Sequence, residues 1–424
     1  MFTPHPLREV LHNEVHARPY ERMCAPLALS HLALLTPPGQ TASREHLHAL
    51  LRARHLPLPA EEASHLSLDI GGVHLRWEQH TEFQTYTFWR ALSERPTSFD
   101  EPAVSLVPQD WLRGIPGQWL VGMHVVVSRS RDEGFDPLIR GALSEDSLVG
   151  SVVMDGQAEV YTDFRLHADG FARVVVVAAS MHPRRLGRTV QRLLEVETYR
   201  MMALLGLPAA RHVSSTLADA ERELAHIADQ IRSAERSHEP ELLRQLTRLA
   251  GRVESLYAAT HARFSASAAY FELVQQRIEE LGEHRLAGLQ TMGEFMDRRL
   301  GPAMQTCAWA ARRQQQLSER ISRTSNLLRT RVEIEQQQSS QALLDAMNRR
   351  QKAQLMLQSA VEGLSIAAIT YYGAGLVGYL AKGAKAAGLP LLVDVVVAAA
   401  IPVIAAAVWV GLRRLHAAAQ RAAQ

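Results

Sequence analysis

The sequence has few cysteines, few lysines and almost no net charge, and each shortage excludes a class of protein. Its two cysteines, Cys24 and Cys307, lie far apart, so a single chain can form neither a disulfide framework nor a CxxC metal knuckle. The formal net charge is only +2, from 46 basic and 44 acidic residues. Because nucleic-acid-binding proteins carry a basic face or stripe, we expect no nucleic-acid partner.

Familiar catalytic and export signals are missing as well. The chain contains no phosphate-binding loop, no GxSxG elbow and no pair of CxxC motifs. Its first residues carry charges and histidines where a signal peptide would have an apolar segment. We therefore expect a non-catalytic protein whose N-terminal part stays in the cytoplasm.

Long apolar runs occur only at the C-terminus. Residues 363–381 carry no charge, and residues 389–412 are apolar apart from Asp394. A helix needs about 20 apolar residues to cross a bilayer. These runs predict a transmembrane hairpin over residues 359–415, followed by a tail over 416–424, and they make the lipid bilayer a partner.

Basic residues near this hairpin predict its orientation. They flank both ends, at Arg349, Arg350, Lys352, Arg413, Arg414 and Arg421, whereas the loop between the spans has two lysines. Lysine and arginine are enriched in cytoplasmic segments, so both termini are expected in the cytoplasm. Abundant alanine and a preference for arginine, with only three lysines, are typical of a GC-rich bacterial genome. The predicted location is therefore the bacterial inner membrane.

The first part of the chain, residues 1–182, has the pattern of an α+β domain. Helical spacing occurs at 7–17 and 41–54, and residues 92–117 are rich in proline and glycine, which predicts a loop. Alternating or β-branched segments separated by turn residues predict an antiparallel sheet. Its strands are expected at 25–35, 65–70, 73–79, 83–90, 119–127, 148–154, 160–167 and 171–179.

The pattern becomes helical from residue 183, which predicts a bundle or long-helix region over 183–358. Helices are expected at 188–208, 215–236 and 242–281, and a last helix runs from residue 303 into the first span. Gly301 and Pro302 are expected to break the chain before it. Between residues 317 and 347 the apolar positions form a broken stripe, which favours packing on one side in a coiled coil of several copies, and hence a homo-oligomer.

The densest polar cluster lies near the N-terminus and contains His12, Glu14, His16 and Arg18, with His31 as a further candidate. His12 and His16 have the i, i+4 spacing of metal ligands on a helix. Glu14 stands one place later than the zinc-protease HExxH motif requires, so that catalytic role does not transfer. Three interpretations stay open: a structural cap and polar network, a metal or ligand site, and a catalytic site. The pattern identifies no metal and no cofactor.

Two further groups of residues are candidates for structural roles. In the helix after residue 188, Arg192, Glu195, Tyr199 and Arg200 lie on adjacent turns, with Glu197 three residues before Arg200. They predict either an exposed pairing face or a buried ion network that fixes this helix on the sheet.

Within the spans, Asp394 is either an interfacial residue or part of a pore or oligomer contact. Thr370, Ala374 and Gly378 form an i, i+4 stripe of small residues, which allows two helices to approach closely.

Several of these segments resemble one bacterial family. HPLREVLHNEVHARP (5–19), RLLEVETYRMMALLGLPAAR (192–211), ISRTSNLLRTRVE (321–333) and VEGLSIAAITYYGAGLVGYLAKG (361–383) are similar to the domain of unknown function 3422. The family is described as uncharacterised membrane-anchored proteins. The resemblance covers nearly the whole chain. It implies membrane anchoring and implies no activity.

The layout also resembles CorA-like ion channels, in which a long helix leads from a cytoplasmic α/β domain into the first of two spans. Those channels carry a Gly-Met-Asn motif at the outer end of that span, whereas residues 378–388 read GYLAKGAKAAG, with two lysines. Three functions are therefore weighed. The preferred one is a membrane-anchored, oligomeric scaffold or regulatory module; the alternatives are a CorA-like channel or transporter, and an enzyme that uses the histidine cluster.

Overall fold

The computed structural model describes residues 2, 4–14, 19–37, 42–60, 63–94, 96–130, 135–233, 238–387, 389–390 and 392–422. The chain forms two compact units, Met1–Ser325 and Asn326–Gln424. The finer division predicted at residues 182 and 358 stays a prediction.

The first unit is organised around one nine-stranded sheet in the order β2-β3-β4-β1-β5-β8-β7-β6-β9. Neighbouring strands are antiparallel except β5 and β8, which are parallel. The strands are β1 (Leu27–Leu35), β2 (His65–Asp69), β3 (His74–Gln79), β4 (Phe83–Ala91), β5 (Gln118–Ser128), β6 (Val149–Val153), β7 (Ala158–Thr162), β8 (Ala172–Val177) and β9 (His284–Arg285).

The predicted α+β class and its eight strands are confirmed, with two differences. β9 was not predicted, because a strand of two residues is too short to show an alternating pattern. The parallel pairing of β5 with β8 was not predicted either. The chain between these strands passes through α4 (Phe135–Ala142), β6 and β7, which is long enough for the crossover that a parallel pair requires.

Both faces of the sheet are covered by helices. On one face α2 (Ala42–Ala53) buries Leu47, Leu50 and Leu51 against Trp77 and Phe88. Residues 92–117 were predicted to form a loop, but the structure contains a short turn at Ala103–Leu106 and the helix α3 (Gln109–Arg113) within this segment. Ala103 and Val104 of that turn belong to the same core.

On the opposite face α5 (Pro183–Leu204) packs its apolar stripe onto the strands. Leu186, Val190 and Leu193 are buried against residues of β1, β5 and β8. A Cβ atom added at Gly187 would overlap the backbone carbonyl of Glu21, so only glycine lets α5 approach the chain so closely. The position of α5 on the sheet is therefore fixed by shape as well as by apolar burial.

Three further helices complete the first unit: α6 (Gly206–Ser233), α7 (Glu239–Leu281) and the beginning of α8 (Met292–Ala386). α7 ends at Gly282, whose φ of +59° is the left-handed conformation that glycine adopts at helix ends. The predicted break at Gly301 and Pro302 is wrong, because α8 continues through both residues.

Packing on both sides of Pro302 explains this continuity. Leu300, Met304 and Cys307 are buried, and Arg313 donates hydrogen bonds of 2.7 and 2.5 Å to both carboxylate oxygens of Glu221 on α6. A proline inside a helix removes one backbone hydrogen bond, which costs about 3 kcal/mol. Tertiary contacts over several turns offset that cost.

The second unit consists of the remainder of α8 and of α9 (Val393–Ala422). Each of these helices contains a stretch long enough and apolar enough to cross a membrane, and none of the stretch Val393–Arg414 is buried within the chain. Such exposed apolar helices are consistent with association with a membrane.

Candidate ligand-binding site

A polar cavity of about 260 Å³ lies between the sheet and helices α5 and α7. Strands β1, β3 and β4 form one wall, and the two helices form the other. Its lining contains two arginines, two glutamates, two histidines and two tyrosines, which is unusual for a site beside a protein core. The lining residues are Tyr20, His31, Arg76, Glu78, His80, Phe83, Thr85, Gln191, Leu194, Glu195, Thr198, Tyr199 and Arg277.

His31 joins the sheet to α5 at this cavity. Its Nδ1 lies 2.8 Å from Thr87 Oγ1 on β4, and its Nε2 lies 3.1 Å from Thr198 Oγ1 on α5. Burial lowers the pKa of His31 to about 4. The imidazole is therefore neutral at physiological pH, and one ring nitrogen donates to a threonine hydroxyl while the other accepts.

Arg76 and Glu78 form the charged part of the sheet wall. Arg76 Nη2 donates to Glu78 Oε1 at 2.8 Å, and each side chain is only 7% exposed. Arg76 Nη1 also donates to the carbonyl of Pro19 at 2.9 Å. The pair lies on alternate positions of β3, so both side chains point away from the core beneath α2, which contains Leu75 and Trp77.

The helix wall carries a second ion network. Arg277 on α7 pairs with Glu195 on α5, and its Nη1 lies 3.1 Å from Glu280 Oε1. Arg192 Nε donates to Glu280 Oε2 at 2.9 Å, and its Nη1 donates to the Glu280 carbonyl at 3.0 Å, close to the C-terminus of α7. The network therefore clamps α5 to α7, and it satisfies a carbonyl at a helix end.

Tyr199 also belongs to the helix wall, and its hydroxyl makes no hydrogen bond within the described residues. Its ring stacks on Tyr270 with centroids 5.8 Å apart. Burial, reinforced by the negative charge of Glu195, raises the pKa of Tyr199. The hydroxyl is therefore protonated at physiological pH and is available to donate to a ligand.

Arg200 lies on the same helix as Tyr199 but outside the cavity. It holds the buried Glu197 in a two-pronged arrangement, with Nε to Oε2 at 2.9 Å and Nη2 to Oε1 at 2.5 Å. Its guanidinium also lies over the ring of Phe164, 5.6 Å from the centroid. Of the four residues proposed as one network from the sequence, Glu195 and Tyr199 thus line the cavity, Arg192 lies beside it, and Arg200 forms a separate pair.

The histidine cluster near the N-terminus is described only in part. His12 is exposed on α1 (Arg8–Glu14), whereas the side chain of Glu14 and the whole of His16 and Arg18 lie outside the described residues. Among the residues that are described, no three His, Cys, Asp or Glu side chains are grouped to hold a metal ion. The metal and catalytic interpretations of the cluster stay predictions, and His31 belongs to the cavity.

A second constellation has the residue types of a catalytic triad, but its serine is buried. Ser30 Oγ lies 2.9 Å from His124 Nδ1, and His124 Nε2 lies 3.9 Å from Asp169 Oδ2. The serine is completely buried, and its Oγ accepts a hydrogen bond from the Val104 amide. Burial lowers the pKa of His124 to about 4, so this histidine is a weak base behind an inaccessible hydroxyl. The group stabilises the core.

Two residues that line the cavity have fixed protonation states at physiological pH. A general acid or base works best when its pKa lies near the working pH. His31 is held neutral with both nitrogens bonded, and Tyr199 is held protonated. The cavity therefore offers fixed hydrogen-bond donors and paired charges, which is what recognition of a small polar molecule requires.

The membrane candidates lie in the second unit. Asp394 is exposed in the first turn of α9, where the partial positive charge of the helix N-terminus favours a carboxylate. The small-residue stripe of Thr370, Ala374 and Gly378 packs within the chain. Ala374 is buried, and a Cβ at Gly378 would lie 3.3 Å from Val397 Cγ2 on α9.

Arg76, Glu78 and Arg277 were not identified from the sequence. Arg76 and Glu78 could have been recognised from the sequence, because two charged residues at i and i+2 that alternate with Leu75 and Trp77 indicate a polar face of a strand. No sequence pattern distinguishes Arg277, since arginine and glutamate recur throughout the long helices.

The chain is an α+β protein with a nine-stranded sheet, long helices and a polar cavity. Its two C-terminal helices contain stretches long enough and apolar enough to cross a membrane. The chain belongs to the family DUF3422, whose model, described as a protein of unknown function, matches residues 3–419. No curated protein and no solved structure matches the chain. The likeness in layout to CorA-like channels therefore has no support from these comparisons.

Proposed function

We propose that the chain is a non-catalytic scaffold or regulatory module anchored in the bacterial inner membrane, with both termini in the cytoplasm. The apolar surface of α9 carries this proposal: its stretch Val393–Arg414 is long enough to cross a bilayer, and none of it is buried within the chain. A Cβ atom added at Gly373 would lie 3.2 Å from Ile404 Cγ2, and one added at Gly378 would lie 3.3 Å from Val397 Cγ2; this close approach supports pairing of the two spans as a hairpin.

We further propose that copies of the chain assemble through α8 between residue 326 and the first span. Leu344 and Met347 lie three residues apart on one helix face and are 60% and 66% exposed. Apolar side chains on a water-exposed helix favour burial against a partner, and a second copy presents the same face. The stripe containing Gly378 is already covered by α9, so assembly uses this other surface.

One preparation of the full-length chain tests both parts of the proposal. Membranes are washed with alkaline carbonate, and the detergent extract is transferred to nanodiscs for light scattering. We expect the chain to resist the wash, to dissolve only in detergent, and to have a mass of at least two chains. Release by the wash contradicts the anchor, and a monomeric mass contradicts the assembly.

Paired variants locate the contact. Changing Leu344→Glu together with Met347→Glu should reduce the mass to that of one chain while retention in the membrane is unchanged. The control changes Gln338→Glu together with Ala342→Glu, which adds the same charge at two exposed positions on the opposite face of the same helix. An equal loss of mass in the control contradicts the assigned surface.

A further inference from the structure

We propose that the cavity between the sheet and α5/α7 binds a small zwitterion of the free α-amino acid class. The inference concerns the first unit alone and goes beyond membrane anchoring. It rests on the charge balance of the cavity, on unused hydrogen-bond donors in its helix wall, and on its size.

The ion pairs in the two walls of the cavity favour a ligand that adds no net charge. Arg76 is paired with Glu78 on the sheet wall and lies 3.9 Å from Glu21. Arg277 is paired with Glu195 and Glu280 on the helix wall, where Arg192 provides a second positive charge for Glu280. His31 adds no charge, because burial keeps it neutral. A ligand with one net charge would leave that charge uncompensated in a partly buried site, which is unfavourable. A zwitterion adds two opposite charges and keeps the sum unchanged.

The helix wall provides partners for both groups of such a ligand. The Tyr199 hydroxyl and the Nη2 group of Arg277 make no hydrogen bond within the described residues, and both can donate to a carboxylate. Glu195 accepts from Gln191 and from Arg277, but a carboxylate has about four acceptor sites, so it can also accept from an ammonium. Charge-assisted hydrogen bonds of this kind are the strong ones.

The size of the cavity limits the ligand. The cavity has a volume of about 260 Å³. This volume accommodates a molecule of amino-acid size. Leu194 and Phe83 also line the cavity, and they provide apolar surface for a side chain.

The test uses the purified full-length chain in detergent. Thermal unfolding is followed with each standard free amino acid, with acetate, and with methylammonium, all at equal concentration, and calorimetry measures the affinity of each amino acid that stabilises the protein. We expect at least one amino acid to raise the unfolding temperature, while acetate and methylammonium, which carry only one of the two groups, do not. Absence of any amino-acid effect overturns the proposal, and so does an equal effect of acetate.

Tyr199→Phe separates binding from folding. The hydroxyl has no protein partner within the described residues, so we expect an unchanged unfolding temperature without ligand and an affinity about tenfold weaker. Tyr257→Phe, on α7 and outside the cavity, is the matched control and should bind as the unmodified protein does. Unchanged affinity in Tyr199→Phe overturns the assignment. The outcome is independent of the carbonate wash, so failure of this site and failure of the anchor are distinguishable.

Discussion

Replacing Arg200 by alanine should lower the free energy of unfolding of the first unit by about 3–5 kcal/mol. The substitution leaves the carboxylate of Glu197, which is 4% exposed, without the guanidinium that holds both of its oxygens. An unpaired charge in a buried position is costly because water no longer solvates it. Chemical denaturation of the full-length chain, followed by tryptophan fluorescence, measures the loss.

Two comparisons make this result specific. Arg222→Ala removes an exposed pair with the same i, i+3 spacing, whose side chains are 80% and 69% exposed, and should change stability by no more than about 0.5 kcal/mol. Combining Arg200→Met with Glu197→Leu removes both charges and should restore most of the stability, because a buried ion pair is often replaceable by apolar side chains. A loss below about 1 kcal/mol in Arg200→Ala would contradict the account.

Acidification should destabilise the first unit through His31 and His124. Burial lowers the pKa of each to about 4 from an ordinary value of 6.5, so the unfolded chain binds protons that the folded chain excludes. Stability is therefore complete above pH 6.5 and falls as the pH is lowered toward 4. Each histidine should account for about 2 kcal/mol of lost stability between pH 7.5 and pH 5.

The contribution of one histidine is measured by replacing it. We expect His31→Asn to reduce the pH-dependent loss of stability by about 2 kcal/mol relative to the unmodified protein, whatever its effect at neutral pH. His212→Asn, at an exposed position of α6, is the control for the substitution itself. The same pH dependence in His31→Asn as in the unmodified protein would show that the folded chain protonates His31 without penalty.

The sheet was largely predictable because its strands bury apolar residues between turn signals. Leu27–Leu35 and Phe83–Ala91 stand out in this way, and the step at Gly71 and Gly72 marks the hairpin between β2 and β3. The parallel pairing of β5 with β8 was not predictable, because residues far apart in sequence determine strand order. Continuity of α8 through Pro302 was missed for a similar reason, since local propensity is outweighed by packing that the sequence does not display.

The candidate site was predictable only where its residues lie on a single element. Glu195 and Tyr199 were found because they occupy adjacent turns of α5, although the partner of Glu195 is Arg277 on another helix. Arg192 was grouped with them on the same spacing, but its partner is Glu280 on α7. Arg200 pairs with Glu197, which its i, i+3 spacing on the same helix had indicated. Helical periodicity identifies a shared face, whereas the partner across that face depends on tertiary packing.

Cysteine labelling in intact cells tests membrane anchoring and its orientation most directly. Cys24 is an exposed native reporter of the first unit, whereas Cys307 is buried. A second chain carries Cys24→Ser and Ala386→Cys, which places a reporter at the exposed end of α8 between the two proposed spans. The account predicts that an impermeant maleimide labels the Ala386→Cys chain from outside and labels Cys24 only after the membrane is permeabilised. Labelling of Cys24 in intact cells, or of Ala386→Cys only after permeabilisation, would contradict it.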